Sequence, residues 1–262
     1  MALDNATIEQ LAEHLETAEL EARDVVKITD DHPDLDLADA YRVMDAIHDR
    51  KRARGVRLAG YKMGLTSKAK MQQMGVDQPG YGLLYDYFAR PDGGDIEHAQ
   101  LIHPKVEPEI AFVTAKPLKG PGVHVGMVLA ATACVIPAFE VIDSRYRDFR
   151  FDLPSVIADN SSSSRFVTGG RALPVDGLDL RTLGVVMEKN GRIVGLGAGA
   201  AVLGHPAASV AMLANMLGAK GEELPAGSFI MTGGITAAVA VEPGDHIAVH
   251  YQGLGSISGH FV

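Results

Sequence analysis

Two glutamates one residue apart stand out in Lys105-Val106-Glu107-Pro108-Glu109-Ile110-Ala111-Phe112. On an extended chain alternate side chains share a face, which would set Glu107 and Glu109 side by side about 6.6 Å apart. Val106, Ile110 and Phe112 then fall mostly to the other face or the core. Neighbouring carboxylates repel each other unless a cation lies between them. Alone, Glu-x-Glu describes a solvated strand face equally well. A third acid changes the weighting. Glu140 sits in Pro137-Ala138-Phe139-Glu140-Val141-Ile142-Asp143, bracketed by apolar residues, where an unpartnered carboxylate is costly to bury. Three carboxylates, with other coordination positions left to water or substrate, suit a hard divalent ion, Mg2+ or Mn2+, rather than zinc.

Two further segments are polar and rich in small residues. In Gly60-Tyr61-Lys62-Met63-Gly64-Leu65-Thr66-Ser67, Lys62 stands between glycines that let backbone approach a ligand, ahead of a short helix predicted from about Ser67. In Ala158-Asp159-Asn160-Ser161-Ser162-Ser163-Ser164-Arg165, hydroxyl, amide and carboxyl groups precede one guanidinium, a composition suited to gripping a carboxylate. A surface lysine and a flexible serine loop are the plain alternatives. Other chemistries lack their signatures: Gly195-Leu196-Gly197-Ala198-Gly199 does not have dinucleotide-fingerprint spacing, and there is no P-loop, H-E-x-x-H or G-x-S-x-G. His103 and His205 each precede proline, as turn or cap residues do. Cys134, in the apolar run 127–136, reads as a small buried hydrophobe, and a lone cysteine forms no internal disulfide.

The elements that must position these groups follow from the pattern around them. With 262 residues, 47% hydrophobic and 22% charged, the chain can bury a substantial core of its own. A formal charge of −9, with Arg50-Lys51-Arg52-Ala53-Arg54 as the one basic tract, argues against nucleic acid as a partner. Met1-Ala2-Leu3-Asp4-Asn5 does not start a leader, and no apolar run approaches the ~20 residues of a bilayer span, so no membrane is expected and the setting is read as cytoplasmic. Helices are predicted over 7–21, with Thr7 as the cap, and over 37–54, stopped by Gly55. They make an N-terminal helical segment, 1–55. A β-rich catalytic domain, 56–262, follows, with strands predicted at 56–61, 106–114, 137–143, 184–188, 192–198, 228–232, 246–251 and 256–261. Asn190-Gly191 signals a type I′ hairpin. Helices are expected at 124–135 and 206–218; the second is apolar enough to suggest a homo-oligomer.

Five of these stretches, in order, carry a resemblance: Gly60–Ser67, Lys105–Glu109, Pro137–Arg145, Ala158–Ser162 and Gly227-Ser228-Phe229-Ile230-Met231-Thr232-Gly233-Gly234. Together they resemble the hydratase and decarboxylase group of the fumarylacetoacetate hydrolase superfamily, over about residue 55 to the C-terminus. The resemblance implies an α+β fold, a fumarylacetoacetate hydrolase-like mixed β-sheet roll with flanking helices and an N-terminal helical segment. It implies a metal on Glu107, Glu109 and Glu140, Mg2+ or Mn2+ and no organic cofactor. Catalytic roles fall to Lys62, Asp159 and Ser161, and substrate contacts to Ser162, Ser163 and Arg165. Hydratases of the group carry Ala-Asp-Asn-Ala-Ser where this chain has Ala158-Asp159-Asn160-Ser161-Ser162, which is similar to decarboxylases of aromatic meta-cleavage catabolism. The expected substrate is a small 2-oxo dicarboxylic acid, 2-oxohex-3-enedioate, losing CO2 to give 2-hydroxypenta-2,4-dienoate. Hydration of that dienoate is the nearest rival, because both reactions would use the same chelate. Acylpyruvate hydrolysis would need a Glu-His water activator, and none is identifiable. A non-catalytic partner would be expected to have lost one of the glutamates. The resemblance also implies a homo-oligomer and a complex with 2-hydroxypentadienoate hydratase.

Overall fold

The computed structural model describes residues 2–67, 71, 78–169 and 171–262; the helix predicted beyond Ser67 lies outside the described residues. The chain opens with α1 (Asn5–Leu20), α2 (Ile28–Asp31) and α3 (Leu37–Ala53). α1 starts two residues ahead of Thr7 because Asp4, a stronger N-cap than threonine, accepts Thr7 N at 2.8 Å. α3 is capped by Asp36 and gives way at Gly55, whose φ of 85° suits glycine. The apolar faces of these helices bury Leu11, Leu15, Val43 and Ile47 against Tyr146, Ile157 and Ala158, a core separate from that of the β-rich body. The segment is thus seated on α5 (Leu153–Ala158). A buried ammonium adds a second tie: Lys51 Nζ lies 2.7 Å from Glu19 and 2.6 Å from the Tyr87 hydroxyl.

The body carries β1 (Leu58–Gly64), β2 (Gly80–Tyr85), β3 (Ala89–Arg90), β4 (Asp95–Ile96), β5 (Lys105–Thr114), α4 (Val125–Ala131), β6 (Thr132–Ile142) and, after α5, β7 (Ser163–Thr168). Then come β8 (Gly184–Lys189), β9 (Arg192–Ala198), α6 (Pro206–Ala219), β10 (Phe229–Met231), β11 (Val239–Ala240), β12 (His246–Tyr251) and β13 (Gly255–Phe261). Among the described residues they form two sheets. One runs β2-β1-β10-β5-β6-β7-β3 with β11 also on β5; the other runs β4-β13-β12-β8-β9. The first is mixed, since β1 pairs with β10 in parallel while β5 and β6 are antiparallel. The turn after α5 bonds this sheet's open β2 edge: the Asn160 side chain accepts from Leu83 N at 2.7 Å and donates to Leu83 O at 2.9 Å, as a neighbouring strand would. A Cβ on Gly82 would meet Asn160 O at 2.6 Å, so only glycine permits this approach.

Two expectations are corrected. The apolar run over 124–135 divides into α4 and the start of β6 at Thr132, and Cys134 on that strand is only partly buried. No Gly or Pro marks the division at Thr132, and short apolar stretches do not declare their period. The α6 helix does not present an apolar face to solvent: Val210, Leu213, Ala214 and Leu217 are buried in the body's core. It packs there against α4 and β1, which removes the reason it offered for an oligomer. Its 14 residues reach only about 21 Å, short of a bilayer's ~30 Å.

Candidate active site

Strand register builds the site. β5 and β6 pair so that Glu107 lies opposite Glu140 and Glu109 opposite Ala138. Directly opposed residues of an antiparallel pair project to one face, and Glu109 shares it two residues on. All three carboxylates therefore converge, with Glu109 and Glu140 fully buried and Glu107 at 8% exposure. Pro108, between the two acids of β5, does not break the ladder: its carbonyl accepts Ile235 N at 2.9 Å, on the side away from β6, where no strand needs its missing N–H. A residue from the other sheet clamps the pair. The Tyr251 hydroxyl donates to Ala138 O at 2.5 Å and accepts from Glu109 N at 3.2 Å, wedged between the strands that carry the acids.

Burial and Lys62 set the electrostatics of Glu109 and Glu140. Burial, reinforced by Glu140, holds the Glu109 carboxyl well above the usual carboxylate range; burial also raises Glu140, against the pull of Lys62. Lys62, on β1, enters from the neighbouring strand, 3.0 Å from a Glu140 oxygen. Its burial would lower the ammonium, but Glu140 and Glu109 outweigh that and push it up. Lys62 is thus the counter-charge of Glu140 and Glu109 among the described residues. Its directed hydrogen bond goes to Ser161 O at 3.0 Å, and the Glu140 contact lacks that directionality. Glu109 Oε2 accepts Gly233 N at 2.6 Å, at a turn whose φ of 103° and contact with Thr66 leave no room for a side chain. Glu109 Oε1 and both Glu140 oxygens are buried without a hydrogen-bond donor. Such atoms are costly to leave unmet.

Among the described residues no trio of His, Cys, Asp or Glu is gathered tightly enough to hold an ion as it stands. The acids lean instead toward Lys62, the cation present. Still, the donor set fits a hard divalent ion: three carboxylates share one strand face, three of their oxygens lack donors, and no sulfur or imidazole lies among them.

Above this cluster opens a cavity of about 390 Å³ lined by Lys62, Gly64, Glu107, Ser161 and Ser162, with Lys105 and Phe149 at its outer part. The turn from Asn160 to Ser162 has three successive left-handed residues, φ 48°, 51° and 57°. Non-glycine residues occupy that region only when their surroundings hold them there. Ser161 donates its hydroxyl to Tyr81 O at 3.0 Å, so what it offers the site is its carbonyl, on Lys62. Ser162 keeps an unpartnered hydroxyl.

The remaining sequence-derived candidates sit elsewhere. Asp159 is buried against Arg145, which contacts its carboxylate and its carbonyl; Arg145 also donates to Asp143 O at 2.7 Å and Ser163 O at 3.0 Å. Burial drives the Asp159 carboxyl up, to about 7, against the pull of that guanidinium. Ser163 begins β7, so the second half of the serine segment is strand and not a flexible loop. Arg165 turns to Ser164 O, Gln100 and the face of Tyr87. None of Asp159, Ser163 and Arg165 is among the residues lining the cavity. His205 is the α6 cap and His103 packs against Phe149 in a tilted ring contact. The residues that sequence reasoning passed over are Lys105, which continues the alternation of Glu107 and Glu109, and Tyr251, whose distance along the chain left no signal.

With this geometry in view, comparisons place the chain. Residues 85–262 match the family described as fumarylacetoacetate (FAA) hydrolase C-terminal. The chain belongs to the fumarylacetoacetate hydrolase family. It is 66% identical, over 96% of both chains, to a 4-oxalocrotonate decarboxylase of Pseudomonas sp. (strain CF600). It is 39% identical, over 98% of both, to a 2-hydroxyhexa-2,4-dienoate hydratase of Comamonas testosteroni. Among solved structures, 4-oxalocrotonate decarboxylase from Pseudomonas putida G7, complexed with magnesium and adipate, superposes with a TM-score of 0.97 at 61% identity, over 99% of each chain.

Proposed function

We propose that this chain is a carboxy-lyase that removes CO2 from 2-oxohex-3-enedioate, with Glu107, Glu109 and Glu140 holding Mg2+. The observation that carries the proposal is the convergence of three buried carboxylates on one strand face, with Glu107 and Lys62 lining a cavity and oxygens of Glu109 and Glu140 lacking donors. The identities, 66% to a decarboxylase against 39% to a hydratase, favour decarboxylation over hydration. When bound, a divalent ion supplies positive charge at the C1 carboxylate and C2 carbonyl oxygen and makes the ketone an electron sink. The electrons of the C5–C6 bond move through C3=C4 toward the C2 oxygen as CO2 departs. Lys62 holds a proton on Nζ beside that oxygen and offsets its developing charge. Ser161 fixes Lys62 through its carbonyl, Ser162 offers its hydroxyl to the substrate, and the Arg145–Asp159 pair holds the turn that presents both serines.

Purified protein given 2-oxohex-3-enedioate and Mg2+ should release CO2 and accumulate 2-hydroxypenta-2,4-dienoate, with no 4-hydroxy-2-oxopentanoate. Absence of CO2 together with hydration of added dienoate would replace this reading by the hydratase one. We propose in addition a cytoplasmic homo-oligomer that associates with a 2-hydroxypentadienoate hydratase. Support comes from Ile193, Val194 and Leu196, exposed together on β9, the last strand of its sheet. Sedimentation showing only monomer, alone and with the hydratase, would contradict both parts.

A further inference from the structure

On β5, Lys105, Glu107 and Glu109 occupy alternate positions and hence one face of the strand. Lys105 and Glu107 both line the cavity, so the strand works as a ruler: acids at the deep end, an ammonium two residues, or about 6.6 Å, nearer its mouth. That spacing is comparable to the separation of the end carboxylates in an extended six-carbon diacid. The Lys105 ammonium stands 3.9 Å from the centre of the Phe149 ring. Among the described residues no carboxylate pairs with it within ion-pair distance, unlike Lys27, Lys51, Lys62, Lys189 and Lys220. The other lining acid, Asp148, is exposed at the rim. Phe149 has a left-handed φ of 57° and packs against the His103 ring, tilted by 44° at 4.7 Å. Asp143 fixes the approach to β5 by accepting Ile102 N at 2.9 Å and His103 N at 2.8 Å. The ammonium is therefore held over an aromatic face by a braced loop, with its anion-binding capacity unspent.

Building on the reaction proposed above, we infer that Lys105, backed by Phe149, binds the distal carboxylate of the substrate and selects a dicarboxylate over a monocarboxylate. This carboxylate is the one that leaves. An ion pair to it that persists into the transition state and is lost only in neutral CO2 stabilises both states nearly alike, so the contact strengthens binding without accelerating bond cleavage. Lys105 is a specificity residue, and its removal should raise KM while leaving kcat unchanged or slightly higher.

The test is calorimetric titration of Mg2+-loaded wild type, Lys105→Met and Lys105→Arg with 2-oxohexanedioate and with 2-oxohexanoate, which differ only in the distal carboxylate. Lys105→Met should weaken the dianion about tenfold, leave the monoanion within about twofold, and be largely rescued by Lys105→Arg. Retained monoanion binding reports that the variant is folded. With 2-oxohex-3-enedioate, KM should rise about tenfold at constant kcat. Equal weakening of both ligands, no weakening of either, or a fall in kcat at constant KM would overturn the assignment. Failure of wild type to release CO2 would instead sink the proposed reaction, leaving the two-ligand comparison to decide the role of Lys105.

Discussion

Two buried ionic clusters lie on either side of the turn 159–162, and they differ in how completely they are satisfied. Arg145 and Asp159 form a closed set. The guanidinium contacts one carboxylate and three backbone carbonyls, and that carboxylate also accepts Arg145 N at 3.1 Å. Across the turn, Lys62 pairs with Glu140 beside Glu109, and three oxygens of those two acids have no hydrogen-bond donor among the described residues. Burial makes both arrangements expensive, but only the closed one recovers the cost within the fold. A closed buried network is architecture; one with carboxylate oxygens lacking donors beside a cavity is prepared for a ligand.

The largest test of this difference is Glu109→Gln. Removing one acid from the open cluster relieves repulsion with Glu140, so the metal-free protein should melt no lower than wild type and is expected to melt higher. Mg2+ affinity measured by calorimetry should fall and turnover should drop by about 10³-fold or more. Full turnover by this variant would end the metal-site assignment.

Next comes Arg145→Met. Leaving Asp159 buried without its partner should cost about 3–5 kcal/mol in chemical denaturation, more than any single change in the open cluster. Adding Asp159→Leu should recover most of that loss. If Asp159 serves the turn rather than the substrate, the double variant keeps turnover within about tenfold of wild type. A stable but inactive double variant would return Asp159 to the chemistry and break the contrast between the two clusters.

The two clusters also differ in how they could be read from sequence. The alternation of Glu107 and Glu109 and the apolar setting of Glu140 needed only strand periodicity, which is local. Their convergence depended on the β5–β6 register, and Lys62 reached them through β10, which pairs with both β1 and β5; neither is encoded locally. The segment 158–165 advertised polarity equally at every position, yet three dimensions divide it. Asp159 goes to Arg145, Asn160 to the β2 edge, Ser161 to Lys62, Ser162 to the cavity and Arg165 to Tyr87. Composition names donors and acceptors but not their partners. Lys105 was legible by the same alternation that singled out the glutamates. A cation beside two acids reads as their salt-bridge partner until the cavity shows it facing outward.

The smallest effect concerns a cluster that is open without being ionic. His48, on α3, keeps Nδ1 buried and unpartnered and stacks on Tyr85, whose hydroxyl is likewise buried without a partner, at 5.9 Å between ring centres. Burial lowers its pKa from the ordinary 6.5; nearby Asp49 and Asp45 oppose that shift and Arg52 adds to it. The folded protein therefore binds this proton less readily than the unfolded chain does. As pH falls through 6.5, the unfolded state takes up the proton first, and stability is lost on the acid side of neutrality. His48→Phe keeps the stack and removes the titration. The stability difference between it and wild type, from urea denaturation at pH 7.5 and 5.5, should shift in favour of the variant at the lower pH. Turnover at pH 7.5 should not change, because His48 lies in the helical segment and is not among the residues lining the cavity. A pH-independent difference would show that this orphaned nitrogen is solvated in the folded state. A change in turnover would mean that unmet polarity without excess charge also marks function, which the comparison of the two ionic clusters denies.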